Sequence, residues 1–265
     1  MNKLLFSFFL GLIISSCSHD DDVNQIELAE INCQVLKYQQ LIILDSILYR
    51  TSLVYEGNKV MQRLNYGNIL SGSTGQTRWG LSSFDNIFYN SENKVSKIEY
   101  AANRFDLFYY TDGNPNPFKR EYIRISDDGY VSKWSENITY DESGRISNTF
   151  FYADDPNYPY VEETTINYIY NSDSNLAKII EVYRTSGNTT TTTVDYSEYD
   201  SHKNPFKNIN VPFIENRPVQ FSRNNYKKKH TKTIYTDGET YSSDFEYGFS
   251  YNEYDYPLIA EYNCH

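Results

Sequence analysis

Apolar and polar residues alternate with a period of two along several stretches of the chain. In residues 245–252 (FEYGFSYN) the four aromatic residues fall on one face and the polar or small residues on the other. Residues 164–170 (TTINYIY) place Ile166, Tyr168 and Tyr170 in line. Strict alternation is typical of half-buried β-strands, whereas a helix needs apolar residues at i, i+3, i+4 and i+7. The pattern predicts strands, and no convincing helix follows the N-terminal leader.

A short phrase recurs between the predicted strands. YNSENKVSKI at 89–98 and YNSDSNLAKI at 170–179 share five of ten residues. Looser copies begin at Ile125, Tyr140, Tyr199 and Tyr254. Each copy leads from an aromatic stretch through Asn, Asp, Ser and Gly residues to a stretch that resumes with an apolar residue. Because these turn residues tolerate left-handed backbone conformations, the phrase is predicted to be a β-hairpin turn with its flanking strands.

Consecutive hairpins predict an all-β fold. Counting the extended stretches predicts about 12 to 16 strands of ordinary length. We expect an antiparallel up-and-down meander that forms a large curved sheet or a barrel-like structure, since so many twisted strands tend to curl or close. Longer loops are expected at 67–80, 153–160 and 212–218. None of them divides the chain, so residues 32–265 are interpreted as a single domain.

Composition and charge agree with this fold class and limit the partners. The chain has 27 Tyr and 15 Phe against 2 Trp and 2 Met, and aromatic residues suit a pleated, half-buried surface. Its formal net charge is -11. Loss of residues 1–16 would remove Lys3 and leave 23 basic and 35 acidic residues, about -12. Such a chain repels phosphate backbones, so a nucleic-acid partner is not expected.

The first 16 residues are predicted to be a signal peptide. The apolar run 4–14 is too short for a permanent membrane helix. It ends in Ile14-Ser15-Ser16-Cys17, which resembles the lipobox of bacterial lipoproteins, in which the cysteine is acylated. The resemblance implies lipid attachment at Cys17, and hence a membrane as partner through the lipid. The alternative is an ordinary cleaved signal.

Residues 17–31 are predicted to be an acidic, flexible tether. Its Ser18-His19-Asp20-Asp21-Asp22 resembles the tag that sends Bacteroidota lipoproteins to the outer face of the outer membrane. A merely solvated tether, with the protein facing the periplasm, is the alternative.

If Cys17 carries lipid, two cysteines remain. Cys33 opens the folded part and Cys264 is the penultimate residue. In an oxidising compartment an even pair is a disulfide candidate. Two separate buried thiols are equally compatible with the sequence.

The turn phrases also carry a family resemblance. The Tyr-Asp-x-x-Gly type phrase is similar to the YD repeats of Rhs-type shell proteins. The lipobox, the acidic tether and the phrases YDSHKNPF and YNEYDYPLIAEY together resemble an uncharacterised family of Bacteroidota surface lipoproteins with a porin-like domain. The resemblance implies a curved or barrel-like sheet and no known activity. A channel is not expected, because a membrane barrel needs an apolar lipid-facing band on every strand and the mean hydropathy is -0.65.

The sequence contains few residues suited to catalysis or metal binding. Its four histidines include one in the tether and one at the C-terminus, so a metal site, a cofactor and an enzymatic activity are not expected. Trp79 and Trp134 are candidates for stacking on a sugar ring, although aromatic residues that recur with the repeat also serve cross-strand packing. Asp45-Ser46-Ile47 resembles the O-glycosylation site of Bacteroidota exported proteins, with Ser46 as acceptor.

Three hypotheses about function follow. The leading one is a lipid-anchored outer-membrane module that binds a glycan or a surface protein, or serves as a scaffold. A hydrolase that cleaves glycans with two carboxylates is the second, and a purely structural envelope lipoprotein is the third. A cleft with two carboxyl groups about 5 to 10 Å apart would favour the hydrolase, and a strip of aromatic residues would favour binding.

Overall fold

The structure is a computed structural model that describes residues 33–43, 46–70, 77–154, 162–209, 211 and 221–264. The chain divides into two units, Met1–Ile31 and Asn32–His265. The predicted signal peptide, the tether and Cys17 lie in the first unit, outside the described residues. Among the described residues, no helix has the length and apolar character needed to cross a membrane.

The described part of the second unit contains fifteen strands and a short 3-10 helix, Pro205–Asn208. The strands are β1 (Cys33–Ile43), β2 (Ser46–Glu56), β3 (Lys59–Leu70), β4 (Thr77–Tyr89), β5 (Val95–Ala101), β6 (Arg104–Tyr109), β7 (Lys119–Ile125), β8 (Val131–Tyr140), β9 (Ile146–Ala153), β10 (Glu163–Tyr170), β11 (Leu176–Thr185), β12 (Asn188–Tyr199), β13 (Tyr226–Ile234), β14 (Thr240–Glu246) and β15 (Ala260–Cys264).

All fifteen strands belong to one antiparallel sheet. Strands β1 to β14 follow one another in chain order, and β15 returns to pair with the far side of β1. The predicted all-β, up-and-down meander is therefore confirmed. The sheet is open, with β14 at one edge and β15 at the other. The prediction of a loop at 67–80 is wrong for most of that range, because β3 continues to Leu70 and β4 begins at Thr77.

The repeated phrase builds one turn geometry. In residues 90–94, 126–130, 141–145, 171–175, 235–239 and 252–256, the first amide donates to the fifth carbonyl and the fourth amide donates to the first carbonyl. The fourth residue has a positive φ in all six turns, even where it is Asn93 (62°) or Ser174 (63°). This is a three-residue hairpin turn whose last loop residue is left-handed. The copy assigned to Tyr254 starts three residues earlier, at Tyr251.

An Asn or Asp at the first turn position holds several of these turns. The side-chain oxygen of Asn90 accepts hydrogen bonds from the amides of Glu92 and Lys94, at 3.0 and 2.9 Å. Asn171 makes the same two bonds to Asp173 and Asn175. These side chains bond their own turn backbone, which explains why the phrase keeps Asn or Asp after the tyrosine.

Six tyrosines, four of them from the repeated phrase, stabilise one end of the sheet. Turns after even-numbered strands all lie at this end, which we call the turn end. There the hydroxyl of one tyrosine at or near the end of each even-numbered strand from β2 to β12 donates to a carbonyl at or near the start of the preceding strand, closing the open end of a hairpin. The pairs are Tyr55 with Val35, Tyr89 with Val60, Tyr110 with Val95, Tyr140 with Pro117, Tyr170 with Ile146 and Tyr199 with Leu176. We call these six residues the tyrosine ladder.

Burial of the ladder shifts its acid–base equilibria. It raises the pKa of Tyr55, Tyr89, Tyr110 and Tyr199 to about 12. It also raises the pKa of Tyr140 and Tyr170. A phenolate cannot donate to a carbonyl, so the ladder requires the neutral hydroxyls.

The core consists of two apolar clusters on one face of the sheet, here called the inner face. The first cluster combines Val35, Tyr38, Leu53, Val60, Ile87, Val95, Ile98 and Phe108 from β1 to β6 with Phe206, Ile209 and Val211. The second combines Ile138, Ile146, Tyr168, Leu176, Ile179 and Tyr196 from β8 to β12, with Phe221 packed against it. Phe206, Ile209, Val211 and Phe221 all belong to the connection between β12 and β13. This one connection therefore fills both parts of the core.

These contacts require a curled sheet. The ring of Phe206 lies edge-on to the ring of Tyr38 in β1, with the centroids 5.1 Å apart. In a flat sheet with strands about 4.8 Å apart, β12 and β1 would be separated by roughly 50 Å. The connection from Glu246 in β14 to Ala260 in β15 also spans at most roughly 50 Å, less than the width of about 67 Å of fifteen flat strands. The sheet therefore curls around the β12–β13 connection.

A disulfide joins the two ends of the domain. Cys33 and Cys264 face each other directly across the β1–β15 pair, with their Cα atoms 4.2 Å apart. Of the two arrangements open to the sequence, the structure has the bridge. The buried Tyr256 lies beside it, and its hydroxyl accepts a hydrogen bond from the amide of Cys33 at 3.4 Å.

Candidate binding site at the turn end

A cavity of about 490 Å³ lies at the turn end of the sheet. Its walls come from the β4–β5, β6–β7 and β8–β9 turns, from Tyr170 at the end of β10, and from the β12–β13 connection. Ligand pockets for small molecules commonly measure about 300 to 1,000 Å³. We call this cavity the turn-end pocket.

Three ladder tyrosines line the turn-end pocket. Tyr110, Tyr140 and Tyr170 donate their hydroxyls to backbone carbonyls at 2.8, 2.7 and 3.0 Å. These hydrogen bonds fix each hydroxyl and use its proton. The three residues therefore present rigid aromatic rings to the pocket, and their hydroxyl protons are not available to donate to a ligand. Ile209, Val211 and Phe221 add apolar surface from the β12–β13 connection.

Three cations also line the turn-end pocket. Lys94 pairs with Glu92 at 2.6 Å, and its ammonium lies 5.3 Å from the centre of the Tyr110 ring. Arg145 pairs with Asp141 at 2.6 Å and lies 4.3 Å from the Tyr170 ring. Stacking over an aromatic face is favourable for a cation, so the rings hold both side chains in place.

Lys207, in the last turn of the 3-10 helix, is the third lining cation, and its side chain is exposed. Among the described residues that line the turn-end pocket, Glu92 is the one that carries a carboxylate. Even when Asp141, the partner of Arg145, is counted, three cations stand against two carboxylates in the described part of the site, whereas the whole chain has a net charge of -11.

The two tryptophans lie on opposite faces of the sheet. Trp79 in β4 is on the outer face, 41% exposed, with the guanidinium of Arg50 5.9 Å from its ring. Exposed Leu81, Phe84 and Phe88 continue this face of β4. Trp134 in β8 is on the inner face, half-buried, and packs beside Tyr122 with ring centroids 5.6 Å apart. They cannot form one stacking platform, and a ligand role for either residue stays a prediction.

Several carboxylates lie buried on the inner face. Arg120 contacts Asp106 at 3.4 Å and Glu136 at 3.0 Å, and the hydroxyl of Tyr100 donates to Asp106 at 2.8 Å. Both carboxylates are 2% exposed or less. A glycosidase needs one carboxyl group that can reach the glycosidic oxygen and another that can reach the sugar ring. Because both carboxylates are buried and pair with Arg120, the geometry of this cluster favours a structural ion network over a glycosidase site.

Ser46 is the first residue of β2, and its side chain lies outside the described set. Among the described residues, no group of three or more His, Cys, Asp or Glu side chains is placed to hold a metal ion. The predicted absence of a metal and a cofactor stays a prediction.

Sequence reasoning did not identify the turn-end pocket. The repeat predicts that its tyrosines pack across strands, and nothing in the spacing distinguishes Tyr110, Tyr140 and Tyr170 from the other ladder members. The signal that was available is the Lys or Arg placed five residues after the tyrosine, as in Lys94 and Arg145. Lys207 could not have been found, because it reaches the turn-end pocket through a long connection.

Comparisons with known proteins add one finding. No family model matches the chain, and no curated protein matches it. Among solved structures, the chain is similar to the crystal structure of a porin-like protein from Bacteroides vulgatus, with a TM-score of 0.49 and 11% sequence identity. The alignment covers 88% of this chain and 97% of that chain. Membership of the lipoprotein family stays a prediction from the turn phrases and the leader.

Proposed function

We propose that this protein is a non-enzymatic, lipid-anchored module of the outer membrane that binds a saccharide in the turn-end pocket. The observation that supports this most directly is the combination of tyrosine rings and cations around a cavity of about 490 Å³. Sugar rings have an apolar face that packs on aromatic rings and a polar rim that accepts hydrogen bonds. Rigid rings beside Lys and Arg donors match both properties.

The charge of the turn-end pocket favours an acidic saccharide, such as one that contains uronic acid. Glu92 and Asp141 each pair with one of the lining cations. Lys207 is exposed at the rim and is available to a carboxylate of the ligand. Such an interaction would supply specificity, because the net negative charge of the chain disfavours an anion on its surface as a whole.

Binding of an acidic saccharide is tested with residues 18–265, in which Cys17 is removed. A glycan array that includes uronic-acid oligosaccharides should give binding, with calorimetry to measure the affinity. Because the Lys207 side chain is exposed, Lys207→Ala should weaken binding about fivefold to tenfold, the scale of one hydrogen bond of about 1 kcal/mol. Lys228→Ala is the matched control, because Lys228 pairs with Glu198 on the outer face. Silence across the array, or equal loss in both variants, would contradict the proposal.

Anchoring is proposed from residues 14–22 and is tested separately. In a Cys17→Ala variant, the protein should leave the membrane fraction. An unchanged membrane pool would rule out the lipid anchor and would leave saccharide binding unaffected. Protease shaving of intact cells would then separate the outer face of the outer membrane from the periplasmic face.

A further inference from the structure

Strand β14 forms a regular, exposed edge of the sheet. Within the described residues it pairs with β13 alone, in continuous register from Lys228–Glu246 to Ile234–Thr240 without a bulge. Six of its seven residues are exposed. It contains neither Pro nor Lys, the residues that proteins commonly place on an edge strand to prevent further pairing.

The free backbone groups of β14 can be assigned. The amide of Tyr235 donates to the carbonyl of Glu239, and the amide of Tyr247 donates to the carbonyl of Lys227. Opposed residues of an antiparallel pair alternate between hydrogen-bonded and non-hydrogen-bonded. Counting between these two pairs, residues 241, 243 and 245 bond to β13. The amides and carbonyls of Thr240, Ser242, Asp244 and Glu246 therefore point away from the sheet.

The two faces of β14 differ in chemistry. Tyr241 and Phe245 lie on the inner face, 61% and 50% exposed, since Phe245 pairs with Lys229, which in turn pairs with the buried Tyr196. Asp244 and Glu246 lie on the outer face, and the Asp244 side chain is 83% exposed beside His230. A strand added here would have its outer side chains beside carboxylates and its inner side chains beside aromatic rings.

We propose that β14 binds an extended peptide segment of a partner protein as an added antiparallel strand, with cationic residues on its outer face and apolar residues on its inner face. Main-chain hydrogen bonds from Ser242 and Asp244 would supply affinity, and the alternating side chains would supply specificity. Charge complementarity identifies this partner. A second copy would bring Asp244 and Glu246 of both chains to the same face of neighbouring strands, where like charges repel each other.

The direct test uses a labelled seven-residue peptide that alternates lysine and valine, titrated against the full chain at low salt by fluorescence anisotropy. We expect saturable binding. A peptide that alternates glutamate and valine, and a lysine–valine peptide of equal composition without the alternation, should each bind at least tenfold more weakly. Equal binding of the three peptides would overturn the proposal.

Two variants locate the site. Ser242→Pro removes an outward amide and leaves the β13 hydrogen bonds intact, so it should weaken the lysine peptide about tenfold or more. Combined Asp244→Lys and Glu246→Lys should reverse the preference toward the glutamate peptide, and this outcome does not depend on how well a proline is tolerated. Unchanged affinity in both variants would refute binding at β14. A dimer of the unmodified protein that Ser242→Pro dissolves would assign this edge to a second copy, and would also overturn the proposal.

Discussion

The two edges of the sheet are constructed differently. At one edge β15 has five residues, follows Pro257 closely, pairs with β1 through a register shift and is bound to it by the Cys33–Cys264 disulfide. At the other edge β14 has seven residues in regular register and bears two exposed aromatic rings. Short, bulged and cross-linked edges resist further pairing, whereas long regular ones invite it. The comparison suggests that one edge holds the domain together and the other is available to a partner.

The tyrosine ladder extends the same contrast across the sheet. It closes the open ends of the six hairpins from β1 to β12 with hydroxyl-to-carbonyl bonds. In the last hairpin Tyr247 takes the corresponding position, and its ring packs against Tyr226 at 5.4 Å. The hydroxyl-to-carbonyl bonds of the ladder therefore stabilise the part of the sheet from β1 to β12.

The largest predicted effect is the loss of folded structure in β1 to β12 at alkaline pH. The pKa of a tyrosine in an unfolded chain is near 10, and burial raises the pKa of Tyr55, Tyr89, Tyr110 and Tyr199 to about 12. A raised pKa means that the ladder's contribution is complete below pH 10 and is lost as the pH rises through 12. We expect cooperative loss of the β-sheet dichroism in that window, together with tyrosinate absorbance. Ionisation of these residues without unfolding would contradict the ladder.

Removal of the disulfide should be the next largest effect. Cys33→Ser combined with Cys264→Ser removes a cross-link between residues that are 231 positions apart in the sequence. The expected loss in the free energy of unfolding is on the order of 3 to 5 kcal/mol. Urea unfolding measures it, with the reduced natural protein as control. A loss below about 1 kcal/mol would show that the closed edge does not depend on the cross-link.

A matched pair of phenylalanines compares the core beside β1 with the exposed edge strand β14. Phe206→Ala removes a buried ring that packs on Tyr38 of β1, and should cost about 3 kcal/mol or more. Phe245→Ala removes an exposed ring on β14 that lies under Lys229, and should cost below about 1 kcal/mol. Thermal or urea unfolding gives both values. Equal costs would show that β14 is packed as firmly as the core beside β1.

Single hydroxyl deletions sharpen the comparison at the smallest scale. Tyr140→Phe leaves the carbonyl of Pro117 without this donor, and should cost about 1 to 2 kcal/mol. Tyr235→Phe changes an exposed residue in the β13–β14 turn, and should stay within about 0.5 kcal/mol. The difference between the two variants is the quantity to measure. A cost for Tyr235→Phe as large as that for Tyr140→Phe would show that hydroxyl bonding is not what distinguishes the ladder.

Local turn chemistry was readable from the sequence, and strand boundaries were less so. The turns at 90–94 and 171–175 connect β4 to β5 and β10 to β11 as predicted. The window 245–252 has the clearest alternation, yet β14 ends at Glu246. Its aromatic residues continue as a row, with Tyr247 and Phe249 6.3 Å apart and Phe249 and Tyr251 6.4 Å apart. The alternation therefore continues past the end of β14, where ring packing and the isolated bridge between Tyr251 and Pro257 take the place of a continuous strand pair.

The turn-end pocket shows where sequence reasoning stops. Tyr140 and Tyr170 belong to the repeated phrase and Tyr110 does not, and the walls that they form meet only because the sheet curls. Lys207 and Phe221 are 14 residues apart in sequence and line the same pocket as Tyr110 and Tyr140. No local pattern encodes that meeting, since it depends on contacts between distant segments.

By itself, the sequence determined the succession of β-strands and tight turns in this protein. An Asn or Asp side chain and a left-handed residue specify such a turn within five residues. It also determined which side chains face inward, because the period of two follows from the pleat. Only the tertiary structure decided that β15 returns to β1, that the β12–β13 connection fills the core and that β14 stays open. Those choices depend on burial shared among segments as much as 231 residues apart, which no local window contains.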